Sequence, residues 1–75
     1  MAVPSAPTEL DRKLAAFLKQ QRGEMSFSQF SKVTGLPSST LFRLERCEQS
    51  ITLGRLHGLI KKLKVTLEDV FGERA

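Results

Sequence analysis

The run MSFSQFSKVTGLPSSTLFRLER, residues 25–46, holds two helix starts separated by one stop. Ser26 with Gln29 three residues on is a capping-box start, Phe30, Val33 and Thr34 continue at helical spacing, and Gly35 supplies the left-handed residue that ends the helix. Pro37 and the two serines after it restart the chain, and Leu41 and Leu44, one turn apart, mark the buried side of the next helix. Ser31 is small enough for the two helices to cross closely, and the leucines pin the second helix to a core. The sequence thus predicts two short helices across a tight turn, the second with an outer face free for other work.

Working outward, Thr8 with Asp11 opens a first helix whose Leu10, Leu14, Phe17 and Leu18 recur until Gly23. Cys47 to Ile51 reads as a loop. Thr52 then caps a helix carrying Leu53, Leu56, Leu59, Ile60 and Leu63, and Thr66 and Asp69 frame a last short turn with Leu67, Val70 and Phe71. Gly54 and Gly58 are expected to let the first or third helix approach the fourth closely, at about 1 kcal/mol each relative to Ala. The pattern gives five helices and no strand. The fold class is all-α, with a helix-turn-helix at about 26–47 inside a domain of 8–72, a disordered tail at 1–7 and a C-terminal tail at 73–75.

Seventy-five residues with one Cys and one His leave no disulfide framework and no four-ligand zinc site, so packing alone must hold the fold. A chain of this size has no room for a walled enzyme cleft, and small domains without staples often gain buried area by dimerising. No acid and base flank a nucleophile, and there is no Gly-rich phosphate loop, so an enzyme is not expected; no cofactor and no small-molecule substrate are either. The longest apolar run is too short to span a bilayer, and MAVPSAP lacks the pattern of a signal peptide, so the expectation is a cytoplasmic protein with no membrane association. The net charge is +4, but residues 10–65 hold eleven Lys and Arg against four Asp and Glu, while both ends are acidic. A basic middle points to a polyanion partner.

LAAFLKQQRG, MSFSQFSKVTGLPSSTLFRLER and LHGLIKKLKVTLEDVF, in this order, resemble the lambda-repressor-like (Cro-type) helix-turn-helix family over nearly all of residues 10–71. The resemblance implies a compact five-helix domain that docks its third helix, about 38–46, in the major groove of double-stranded DNA, usually as a homodimer. It implies a transcriptional regulator, of the small repressor kind, associated with the nucleoid. Ser38, Ser39 and Arg43 fall where the family's base-reading side chains project, and Arg43 is suited to bond O6 and N7 of a guanine together. Arg46 and Ser26 match backbone-contact positions. Glu45 matches a buried position whose cationic partner usually stands where Lys19 does; it is expected to tie helix 1 to helix 3 and not to touch DNA.

Three positions depart from the family. Phe27 stands where a glutamine usually bonds a phosphate and braces the first residue of helix 3, here Ser38. A shifted register with Ser28-Gln29 in that role would put Lys32 in the core and is rejected. Phe42 occupies a site usually small or polar, and Cys47 stands where a glycine closes helix 3, so either Cys47 carries left-handed strain of about 1 kcal/mol or the helix ends differently. Phe27 and Phe42 either pack on each other or neighbouring helices, or form an apolar patch for sugars, thymine methyls or a protein. Both are therefore assigned to backbone or groove contact, with a protein-interaction module, antitoxin-like or adaptor, as the alternative. Leu67, Val70 and Phe71 are expected to be partly exposed in an isolated chain and to form the dimer contact. Lys61, Lys62, Lys64 and His57 read as the outer face of helix 4.

Overall fold

The computed structural model describes residues 7–72, and among them every regular element is helical: α1 (Glu9–Arg22), α2 (Phe27–Thr34), α3 (Ser38–Glu45), α4 (Leu53–Leu63) and α5 (Leu67–Phe71). The expected tails lie outside the described residues except for Pro7. Three of the starts are full capping boxes, Thr8/Asp11, Ser26/Gln29 and Thr66/Asp69, in which side chain and backbone exchange hydrogen bonds. Thr52 caps α4 through its hydroxyl, which accepts from the Arg55 N–H at 3.2 Å. Pro37 occupies the cap position of α3 and offers no side-chain acceptor, so that helix starts on proline's fixed φ rather than on a hydrogen bond.

α1 packs on α3 and α5, and α2 packs on α3 and α4. The core between them is built from Leu14, Phe17 and Leu18 of α1, Phe30 of α2, Leu36 of the turn, Leu41 and Leu44 of α3, Leu56 and Leu59 of α4 and Val70 of α5. Leu18, Phe30, Leu41, Leu44 and Leu59 are the largest fully enclosed side chains, each stabilising the fold by roughly 1.5–3 kcal/mol relative to exposure. Lys32 is exposed, as the chosen register of α2 requires.

The α2–α3 turn is closed by three side-chain bonds around Leu36. The Thr34 hydroxyl, buried, donates to the Phe30 carbonyl and accepts the Leu36 N–H, and the Ser31 hydroxyl donates to the Leu36 carbonyl. Gly35 takes φ 81°, the left-handed conformation expected of it. Ser31 thus brackets the turn by a hydrogen bond as well as by its small size.

α3 ends in a way the family pattern did not fix. Cys47 adopts φ 60°, and the last turn closes as a Schellman motif: the Cys47 N–H donates to the Leu44 carbonyl at 3.1 Å and the Glu48 N–H to the Arg43 carbonyl at 2.8 Å. Of the two alternatives, the strained one is realised.

Two expectations about packing are corrected. A Cβ built at Gly54 or Gly58 meets nothing within 4 Å, so these glycines admit no close helix; the main helix contact of α4 is with α2. Val70 is only 5% exposed and belongs to the chain's own core, because α5 folds back against α1. Of the three residues expected at a dimer contact, Leu67 is exposed and Phe71 is half-buried.

Candidate nucleic-acid interface

The geometry of α3 follows from its core contacts. Leu41, Leu44 and Glu45 are buried, which fixes which way the helix is rotated. Counting from Ser38 at about 100° per residue, Phe42, Arg46, Ser39 and Arg43 fall at about 40°, 80°, 100° and 140°, and Leu44, Leu41 and Glu45 at about 240°, 300° and 340°. The first four are all exposed, so they form one continuous outer arc. Ser38 lies at its inner edge and is half-buried; its hydroxyl donates to the Phe27 carbonyl at 3.4 Å. The brace that a glutamine side chain would give to the first residue of α3 is therefore carried by the Phe27 main chain.

Rigidity behind this arc comes from Arg22. Its Nε donates to Glu45 Oε2 at 2.7 Å, Nη2 to Glu45 Oε1 at 3.0 Å and Nη1 to the Met25 carbonyl at 3.0 Å. Glu45 is 4% exposed and points away from the outer arc. The expectation that Glu45 ties helix 1 to helix 3 holds, but its partner is Arg22, not Lys19. A planar guanidinium matches both carboxylate oxygens at once, whereas an ammonium meets them as a point charge. The bonds to Glu45 push the Arg22 pKa up, against the opposing effect of desolvation.

Arg22 also carries the link to the aromatics. Its guanidinium carbon sits 4.2 Å from the centroid of the Phe27 ring, and the Phe27 and Phe42 rings meet edge to face at 5.6 Å and 77°. Arg46 lies over the other end of the row, 5.3 Å from the Phe42 centroid. The two phenylalanines do pack on each other, yet Phe42 stays 46% exposed, so the contact does not remove it from the outer surface. Arg46 also bonds Glu48, Nε to Oε2 at 2.8 Å, in a pair with both side chains open to solvent. Such a pair is worth little and releases the guanidinium readily to a stronger anion.

At the start of α2, the capping box uses the Ser26 N–H, which donates to Gln29 Oε1, and the Gln29 N–H, which donates to Ser26 Oγ. The Ser26 hydroxyl is thus committed to its own helix, and what this end offers an anion is the helix dipole and the N–H groups of the first turn. Between α2 and α4 the surface is basic: Arg55 and Lys62 line a shallow groove with the Gly35 turn, and the Lys62 stem passes 3.4 Å from where a Cβ at position 35 would stand.

The Arg22 hub and the Ser31/Thr34 lock were missed by sequence reasoning. A signal for the first existed, since Arg22 is the arginine nearest the chain turn into Phe27, and bidentate pairing favours arginine. The second had none beyond Ser and Thr near a glycine.

A family model for the Cro/C1-type HTH DNA-binding domain matches residues 13–72, that is, from within α1 to the end of α5. The chain belongs to this family. The Cro/C1-type domain is a DNA-binding unit, and its match includes the whole helix-turn-helix and the outer arc of α3. No curated protein and no solved structure matches the chain. Among the described residues of the domain no three His, Cys, Asp or Glu gather as a metal site, and no helix is long and apolar enough to cross a membrane.

Proposed function

We propose that this protein is a sequence-specific regulator of transcription that binds double-stranded DNA as a homodimer and represses by occupying a promoter. The observation that carries the reading is the outer arc of α3: Ser39, Phe42, Arg43 and Arg46 face solvent from a helix that Leu41, Leu44 and the Arg22–Glu45 pair hold rigidly. Arg43 and the serines Ser38 and Ser39 read base edges, Arg43 by two bonds to a guanine. Arg46 and the start of α2 at Ser26 and Phe27, through its helix dipole and first-turn N–H groups, meet the sugar-phosphate backbone, which positions the domain without reading sequence. Two copies would place their α3 helices in successive turns of the major groove, about 34 Å apart. Exposed Leu67 and half-buried Phe71 form the contact between copies, with Val70 supporting them from the core. The site of action is the cytoplasmic nucleoid, and no catalytic step enters.

A fluorescence titration against duplexes enriched from a random library, and against unrelated duplexes, at two salt concentrations tests this. Tighter binding to the enriched duplexes, and weakening of all binding as salt rises, are expected. Absence of binding to any duplex at low salt would end the proposal. Sedimentation at high micromolar concentration tests the dimer, and a monomer mass there removes that part.

A further inference from the structure

We propose that Phe42 is a base-reading residue that recognises the C5-methyl group of a thymine next to the guanine read by Arg43, an inference that rests on α3 lying in the major groove. Phe42 belongs to the outer arc, at the end nearest Ser38, about 60° from Ser39 and 100° from Arg43 by helical period. It is 46% exposed although it is a large apolar side chain. Its ring is held in place, with Phe27 meeting it edge to face at 5.6 Å and the Arg46 guanidinium over it at 5.3 Å. A ring fixed in this way loses little rotamer freedom on binding, so its contact is not offset by ordering.

The chemistry of the groove selects the ligand. Base edges in the major groove are mostly hydrogen-bond donors and acceptors, and the thymine methyl is the apolar group that projects from them. A phenyl ring set against an amino or carbonyl edge would strip water from it and return no bond, which is unfavourable. Set against the methyl, it buries apolar surface on both sides. Phe42 and Arg43 differ by one residue, about 1.5 Å along the helix axis, so the two side chains address the same or neighbouring base pairs.

The patch is a poor match to a protein partner. The apolar part of the arc is a single ring, flanked by Arg43 and Arg46, and those cations suit a polyanion better than an apolar protein groove.

The experiment replaces each thymine of the selected half-site, one at a time, by deoxyuridine, which removes the methyl and leaves every hydrogen-bonding atom. The intact chain should bind about four-fold more weakly at one thymine adjacent to the Arg43 guanine, the factor that corresponds to about 0.8 kcal/mol for one buried methylene-sized group. Phe42→Ala should bind the thymine and deoxyuridine duplexes equally, while Phe42→Leu should keep part of the difference. Circular dichroism of both variants checks that they are folded. If the chain binds its duplex but no deoxyuridine substitution matters, or the selected half-site has no thymine, the inference fails and the DNA-binding proposal stands. Methyl sensitivity that persists in Phe42→Ala also overturns it, as does a Phe42→Ala variant that keeps full duplex affinity and loses a protein partner. Failure to bind any duplex removes the parent proposal and this inference together.

Discussion

Arg22 and Glu45 meet through two parallel bonds, 2.7 Å and 3.0 Å long, across 23 residues of sequence, and together with buried Leu41 and Leu44 that junction sets which way α3 faces. The carboxylate is 4% exposed and sits between α1, α3 and the turn into α2. Removing it leaves the Arg22 guanidinium, itself about a quarter exposed, with the Met25 carbonyl and the Phe27 ring as its remaining partners. Glu45→Ala should therefore destabilise the fold by about 1–3 kcal/mol, read as a lower urea midpoint at an unchanged slope. Lys19→Ala should shift the midpoint by less than about 0.5 kcal/mol, since Lys19 is an exposed side chain outside this pair. A Lys19 effect as large as that of Glu45 would contradict the assignment.

Cys47 holds a left-handed conformation at φ 60° that a side chain disfavours, because Cβ crowds the following carbonyl. The compensation is thin: its thiol donates to the Asp11 carbonyl at 3.8 Å. Cys47→Gly should raise stability by about 0.5–1 kcal/mol, while Cys47→Ala, which keeps the Cβ and loses the thiol contact, should not. Thermal unfolding of the two variants side by side decides between strain and a stabilising thiol. A more stable Ala variant than Gly variant would reverse the account.

Asp11 joins the start of α1 to the loop after α3. Its Oδ2 accepts the Thr8 N–H at 2.8 Å and the Thr8 hydroxyl at 2.9 Å, and its Oδ1 accepts the Ser50 hydroxyl at 2.8 Å. The Thr8 backbone bond, against some burial, and then the Ser50 and Thr8 hydroxyls and the Arg12 charge hold its carboxyl below the ordinary value. A depressed folded pKa means the unfolded chain takes up the proton first, so the contribution is complete above about pH 5 and is lost as pH falls through the folded value. The stability difference between the intact chain and Asp11→Asn should therefore shrink steadily as urea titrations move from neutral pH toward pH 3. A difference independent of pH would show that these bonds do not depend on the charge.

What was legible in the sequence was what is local. Capping boxes lie within four residues, so Thr8, Ser26 and Thr66 announced their helices, and helical spacing named Leu14, Leu18, Phe30, Leu41 and Leu44 as core. The helix-turn-helix needed no more than Gly35 and the two leucines after it. The failures concern tertiary direction. Lys19 and Arg22 stand three residues apart near the end of α1, about 60° apart around it, and only the path of the chain into α2 decides which one reaches Glu45. Gly54 and Gly58 read as a close-packing stripe, but a stripe does not say whether a helix comes to lie on it. Val70 illustrates the same limit, since an apolar residue on a short terminal helix looks alike whether it faces its own core or a second copy.

Arg43 provides the test of the interface itself. It is exposed on α3, one residue from Phe42, and contributes nothing to the core. Arg43→Ala should accordingly leave the unfolding midpoint within about 0.5 kcal/mol of the parent. If it bonds a guanine at two points, the variant should lose roughly 1–3 kcal/mol of affinity for the selected duplex and should no longer distinguish that guanine from the other bases. Arg46→Ala should act differently. A backbone contact is lost at every sequence alike, so affinity should fall for selected and unrelated duplexes together, and the dependence on salt should become shallower by about one phosphate per copy. Competition titrations over a set of single-base variants, repeated at several salt concentrations, separate the two. Equal loss on all duplexes for Arg43→Ala would move it from base reading to the backbone and leave Phe42 and Ser39 as the candidates for carrying the sequence preference.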